Sequence, residues 1–248
     1  MSRIISGEGT PEEDWTKWLE SQIFPSCSLL EIIQDSRRVV IVAPHPDDEV
    51  LGTAGIIQCS DALNLPCTII SVTDGEASHP QSPLWPPEVL RQTRIQESTQ
   101  ALGLLRPSTQ VVRLGIPDGD VAKNKPWIFA ALQKILHPSD AVFCTWRYDG
   151  HPDHEATGKI CTDVTNKIGC KCLEIPIWAW HWASPGDSRV PWQRAVILPL
   201  TPTQLALKQQ ALACFRSQLQ PDASTGKAAI LPQWAIRRLI RPFELVFQ

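Results

Sequence analysis

The 248-residue sequence has no apolar run near the roughly 20 residues that a membrane-spanning helix needs. Its longest apolar stretches are strand-sized, such as Val39 to Pro44. Runs of lysine or arginine never exceed two residues, Arg237, Arg238 and Arg241 being thinly spread, and the net charge is −3. A nucleic-acid footprint is therefore not expected. The N-terminus, MSRIISGEGTPEEDWTKW, carries acids where a secretory signal needs an apolar core, so the expectation is a soluble, cytoplasmic protein. Eight cysteines form no CxxC pair, and without an export signal they are expected to be free, mostly buried thiols. Internal repeats and low-complexity tracts are absent, and so is GxGxxG. Gly52 and Gly55 do follow the first strand candidate, but the intervening loop is filled with acids that would repel a pyrophosphate.

What is present suits one α/β domain spanning 1–248, with 43% hydrophobic residues to build its core. Thr10-Pro11-Glu12-Glu13 reads as a capping box opening a helix over 10–24, with Trp15, Trp18 and Leu19 on its apolar face. β-branched runs then alternate with helical segments. Strands are predicted at 37–43, 67–73, 110–114, 141–145, 173–177 and 195–200, and helices at 49–62, 88–102, 127–136, 155–168 and 203–217. An edge strand is predicted at 243–247. Continuous apolar strands separated by helices imply a Rossmann-like, mostly parallel sheet covered on both faces. Chemistry in such sheets sits beyond the carboxyl ends of the strands.

Two loops occupy that position. The first strand runs into Pro44-His45-Pro46-Asp47-Asp48-Glu49, and the fourth into Asp149-Gly150-His151-Pro152-Asp153-His154-Glu155. Each contains His-Pro-Asp and leads into a helix. Imidazole and carboxylate are good zinc ligands, and three of them leave a coordination position open. Residues three apart at a helix start can point the same way, and the proline stiffens the turn. Two histidines and one aspartate would bind a metal. One aspartate and one histidine would remain for acid–base work. Taken singly, either loop could be no more than helix N-terminal acids favoured by the macrodipole.

APHPDDEVLG and GHPDHEATG resemble the paired signatures of the LmbE-like, or PIG-L, deacetylases. Thr73-Asp74-Gly75-Glu76, the Arg94 to Glu97 RxxE with Ala101-Leu102-Gly103, Leu114 to Gly119, and Lys208 to Ser217-Gln218 resemble further segments of that family in the same order. The resemblance covers roughly residues 37 to 220. It implies a Rossmann-like zinc-dependent N-deacetylase acting on a small N-acylated amino sugar or glycoconjugate. His45, Asp48 and His154 would hold Zn2+, although such a site also accepts Fe2+, Co2+ or nickel. Asp47 would be the general base. A cationic His151 would face the oxyanion or protonate the leaving amine. Arg94 and Asp118 resemble positions that touch substrate hydroxyls; otherwise Arg94 would pair with Glu97 one helical turn on. Asp153 would hold the tautomer of His151.

Two features depart from that pattern. Some family members carry a tyrosine two residues before the first histidine of HPDH, where it assists the oxyanion; here Asp149 takes that place, and an acid donates no hydrogen bond unless protonated. Trp178, Trp180 and Trp182 alternate after a strand candidate, either as a sugar-stacking platform or as the buried face of a strand, and His181 among them could supply a late active-site imidazole. Competing functions are an amidase on another sugar conjugate and a non-catalytic Rossmann-like binding domain. The sequence sets no oligomeric state.

Overall fold

A computed structural model describes residues 3–248. Five strands form its parallel centre: β1 (Arg38–Ala43), β2 (Cys67–Thr73), β3 (Gln110–Ile116), β4 (Asp140–Thr145) and β5 (Lys171–Ile175). Two later strands, β6 (Ala195–Pro199) and β7 (Phe243–Phe247), complete a sheet in the order β3-β2-β1-β4-β5-β7-β6. β7 runs antiparallel to both neighbours. The expectation of an edge strand at 243–247 is thus corrected: β7 lies between β5 and β6. Its side chains explain this, since Leu245, Val246 and Phe247 are buried on both faces.

Side chains along β1 alternate between two cores. Val39 and Ile41 join α2 (Leu29–Ile33), α3 (Asp48–Ala62), α4 (Pro87–Leu105) and α8 (Pro202–Leu212) on one face. Val40 and Val42 join α5 (Lys125–Ile135) and α6 (Pro152–Ile168) on the other. The order of β1 matters most for function. β2 and β4 flank it: the chain winds outward from β1 through β2 to β3 and then crosses back to β4 on the other side, so a crevice opens between the loops after β1 and β4.

A third apolar cluster anchors the N-terminus. Trp15 of α1 (Glu12–Glu20) is fully buried and donates from Nε1 to the Trp180 carbonyl at 2.8 Å. The capping box expected at Thr10 does not form. Pro11 is the N-cap, and the Thr10 hydroxyl instead donates to Ala183 O at 2.5 Å. Capping boxes do close at Ser28/Glu31 and Thr201/Gln204. The WAWHW segment is also not a strand. It forms the helical turn α7 (Ala179–Trp182), which puts its tryptophans in different surroundings. The late helix breaks after Leu212 and resumes as α9 (Arg216–Leu219), and α10 (Gln233–Arg237) precedes β7. All eight cysteines are free, but Cys67, Cys144 and Cys161 alone are buried and the other five are half-buried, which corrects the expected burial of most of them.

Candidate active site and metal centre

The loop after β1 is held under strain. Asp47, the N-cap of α3, adopts φ 129° and ψ −32°, a conformation an L-residue keeps only when its surroundings enforce it. Glu49 supplies part of that force: its buried carboxylate accepts the Asp47 amide at 2.9 Å and the Ser98 hydroxyl at 2.6 Å. Thr73, at the end of β2, donates from both backbone and hydroxyl to Pro44 O at 3.0 and 2.8 Å. Arg94 of α4 completes the clamp. It donates to Gly75 O at 2.9 Å, Pro46 O at 2.6 Å and Asp47 Oδ2 at 2.9 Å. Gly75 makes room for it: with φ +69°, a Cβ there would lie 2.1 Å from Arg94 Nη1. Arg94 therefore does not pair with Glu97, which accepts the Ser217 amide and hydroxyl at 2.8 and 2.7 Å.

The loop after β4 is positioned by close packing of α6 on the strand end. Gly158 permits this, because a Cβ there would meet Thr145 O at 2.4 Å and Arg147 N at 2.6 Å. The packing brings His154 against the first loop. Asp48 Oδ2 lies 3.3 Å from His45 Nδ1 and 3.2 Å from His154 Nε2. Nitrogens of His45, His151 and His154 fall within 4.8 Å of one another, and so do donor atoms of His45, Asp118 and Asp153.

These two donor groups share His45, and carboxylates face both sides of its ring. His45 Nε2 faces Asp118 Oδ1 at 3.2 Å and Asp153 Oδ2 at 3.4 Å, while His154 Nδ1 faces Asp149 Oδ2 at 2.8 Å. Each imidazole thus turns one nitrogen to Asp48 and the other to a carboxylate behind it. That is the usual support of a metal-binding histidine, whose free N–H is held by an outer acceptor. Asp48, facing both His45 and His154, is thus a further group that could hold a cation between the two rings.

Two observations test whether a cation fits. Asp153 Oδ1 is buried without a hydrogen-bond partner, so the carboxylate cluster has acceptor capacity left over. The electrostatics also favour positive charge between these rings. Burial works against protonated imidazoles, yet Asp118, Asp153 and Asp48 raise the pKa of His45 well above its ordinary value. Burial likewise opposes a charged His154, but Asp48 and Asp149 push its pKa up to about 9. Asp48 is held far below the usual carboxylate range by His154 and His45, against the effect of burial. A divalent ion suits a place that stabilises positive charge so strongly.

Asp47 differs from its neighbour. Burial, with Asp48 and Glu49 adding and Arg94 opposing, pushes its pKa up to about 7. His151 moves the other way, down to about 3, because it is buried beside His154 and His45. These surroundings favour a neutral ring at His151 over the expected imidazolium. Its Nδ1 accepts the Asp153 amide at 3.3 Å, which leaves the proton on Nε2. The expected contact between the Asp153 carboxylate and His151 is corrected too: the backbone of Asp153 orients His151, while its side chain serves His45 and accepts the Gly119 amide at 2.8 Å.

These groups share one cavity of about 450 Å³, lined by His45, Asp47, Asp48, Arg94, Asp118, His151, Asp153 and His154 together with Trp178, Gln218, Ile230 and Leu231. His181 lies outside that lining. Its ring bridges Ser6 O at 3.1 Å and Arg238 Nη1 at 3.0 Å, so it fastens the N-terminal segment to the end of the chain. Trp178 alone of the three tryptophans faces the cavity. Trp180 joins the Trp15 cluster, and Trp182 stacks on Trp146 at 6.2 Å.

Asp149 was the residue hardest to place from sequence. It is fully buried and accepts four N–H groups: His154 Nδ1 and the amides of Ile177, Trp178 and Ala179, all at 2.8 to 3.0 Å. Its place in the loop made it visible, but its partners lie some 28 residues further along the chain. Glu49, Gln218, Ile230 and Leu231 carried no spacing signal of their own.

The profile of the PIG-L family, described as GlcNAc-PI de-N-acetylase, matches residues 40–165. The chain belongs to the PIG-L family. The matched span contains both loops, α3, α4 and the start of α6, and so the whole clamp just described. Among curated PIG-L-like proteins, the "Probable N-acetyl-alpha-D-glucosaminyl L-malate deacetylase 2" of Bacillus anthracis is 31% identical over 145 residues, 55% of this chain and 62% of that protein. The 1D-myo-inositol 2-acetamido-2-deoxy-alpha-D-glucopyranoside deacetylase of Tsukamurella paurometabola is 27% identical over 196 residues, 62% of this chain and 65% of the relative. The chain thus spans less than two thirds of the length of either relative. The same fold is found in the N,N'-diacetylchitobiose deacetylase of Pyrococcus horikoshii, with a TM-score of 0.57 at 19% identity, covering 85% of this chain and 80% of that one. No helix of the described residues is long and apolar enough to cross a membrane.

Proposed function

We propose that this protein is a zinc-dependent hydrolase that removes an N-acetyl group from a small amino-sugar substrate. His45, Asp48 and His154 hold the metal, which when bound supplies a Lewis acid for the amide carbonyl and acidifies a water. The observation that carries the reading is Asp47: a buried carboxylate beside the ligand set, facing the same cavity, yet fixed to Arg94 rather than to the ligand rings. A carboxylate with a raised pKa in that position accepts the proton of an attacking water and later delivers it. Glu49 and Arg94 hold it at one angle, which is the positioning such proton transfer needs.

His151 donates from Nε2 to the oxygen of the carbonyl as it gains charge. A neutral ring does this without the desolvation cost of a buried cation. The C–N bond then breaks, the amine leaves with a proton relayed from Asp47, and acetate remains. Asp118, at the cavity wall and accepting the Ala77 amide at 3.0 Å, takes a sugar hydroxyl in this reading.

Acetate release from N-acetylated sugars tests this reading. Activity should vanish with chelator and return with zinc. Asp47→Asn should keep its metal and lose about a hundredfold or more of kcat. Wild-type turnover by that variant would remove Asp47 from the mechanism.

A further inference from the structure

Resting on the deacetylase reading, we propose that the cavity selects amino-sugar substrates whose group beyond the sugar is neutral and apolar, and rejects those that carry carboxylates there. The charged part of the wall is one-sided. Asp47, Asp48, Asp118 and Asp153 present carboxylates, and Arg94 is the one Lys or Arg side chain on the described wall. Arg94 is 3% exposed, and its two terminal nitrogens are committed to Asp47, Pro46 O and Gly75 O. Its Nε has no partner but is buried, so the guanidinium turns little surface toward a ligand carboxylate. Away from the metal ligands, an anionic substrate group would meet like charge and find no lysine or exposed arginine on the wall to replace its lost water, a cost that acts as selection against it.

Beside the histidines, Ser78 and Gln218, the uncharged wall carries a group of apolar side chains. Leu51 and Leu231 belong to the main core, Trp178 packs against that core, and the three reach the cavity together. Ile230 extends this surface outward, 37% exposed. Its segment is tied down rather than loose. Leu231 N donates to Gln218 O at 2.9 Å, and Ser224 joins Asp222 at 2.6 Å and Ser82 at 3.2 Å. An indole and three aliphatic side chains make a surface for an apolar ring or chain.

The experiment compares two N-acetylglucosaminides, one with a phenyl aglycone and one with a dicarboxylic hydroxy acid as aglycone. Both are assayed for acetate release by the zinc-loaded enzyme, and both are titrated by calorimetry into zinc-loaded Asp47→Asn protein. The phenyl compound should lead by about tenfold or more in kcat/KM and in affinity, the scale on which one apolar contact discriminates. Equal or better binding or turnover of the acid overturns the proposal, as does failure of both to bind. Acetate release from neither, with the phenyl compound still bound more tightly, sinks the deacetylase reading while supporting the selection. Ile230→Lys, at an exposed position, should raise the affinity for the acid about tenfold. An unchanged affinity overturns the placement of Ile230 beside the aglycone.

Discussion

Replacing Asp149 by asparagine isolates the role of a residue that touches no substrate. The carboxylate accepts on Oδ1 from Ile177 N and Ala179 N, and on Oδ2 from Trp178 N and His154 Nδ1. An asparagine fills the same volume but offers one acceptor and one donor group. If its oxygen faces Ile177 and Ala179, its NH2 opposes the Trp178 amide and His154. His154 must then carry its proton on Nε2, the nitrogen that faces Asp48, and a protonated nitrogen cannot bind a metal. If the side chain flips, the amides of Ile177 and Ala179 lose their acceptors instead. Either way at least one buried amide is orphaned, at about 1–3 kcal/mol each. Loss of the outer partner of a metal-binding imidazole weakens metal affinity by roughly 10- to 100-fold. Zinc titration by calorimetry reads the second effect, and urea unfolding of the chelated protein reads the first. Asp149→Ala removes the acceptor whichever way the asparagine turns, and a zinc affinity within threefold of wild type in that variant would refute the assignment of Asp149 as the group that sets the tautomer of His154.

Other perturbations separate holding the site from holding the fold. Glu49→Ala should relax the backbone at Asp47 and lower kcat by about tenfold or more while zinc content stays at wild-type level, read by turnover and metal analysis. Gly158→Ala should push α6 off the end of β4, since its Cβ would fall 2.4 Å from Thr145 O, and zinc affinity should fall with stability. Glu244 accepts Lys208 Nζ at 3.0 Å and the amides of Gly55 and Ile56 at 2.8 and 3.1 Å; Glu244→Ala leaves that lysine buried and alone, which should cost roughly 3–5 kcal/mol in denaturant unfolding. His181→Gln should lower the melting temperature and leave kcat/KM within about threefold, because the ring fastens chain segments outside the cavity.

Which parts of this molecule were legible in its sequence follows from the range of the interactions involved. Strand and helix identity came from β-branched runs and their punctuation, and the five parallel strands formed close to where those signals lie. The two histidine loops were legible for a related reason. A ligand pair three residues apart at a helix start is local, and a parallel sheet brings its strand ends together whatever the loops contain. Interactions made across the chain were not legible. Asp149 read as a substitution that would deprive an oxyanion of a donor, because its neighbours in sequence gave no sign of the amides at 177–179 that enclose it. Asp153 read as a partner of His151 because the two are adjacent, yet its carboxylate turns across the crevice to His45. The tryptophan alternation suggested a strand, but Asp149 accepts the three amides that open α7 and winds that segment into a turn. One buried carboxylate thereby does two things at once: it orients the imidazole that faces the metal site and brings Trp178 to the cavity wall. The misread residue and the misread segment are two ends of a single cluster of hydrogen bonds. Its energetic coupling accounts for why neither end could be assigned alone.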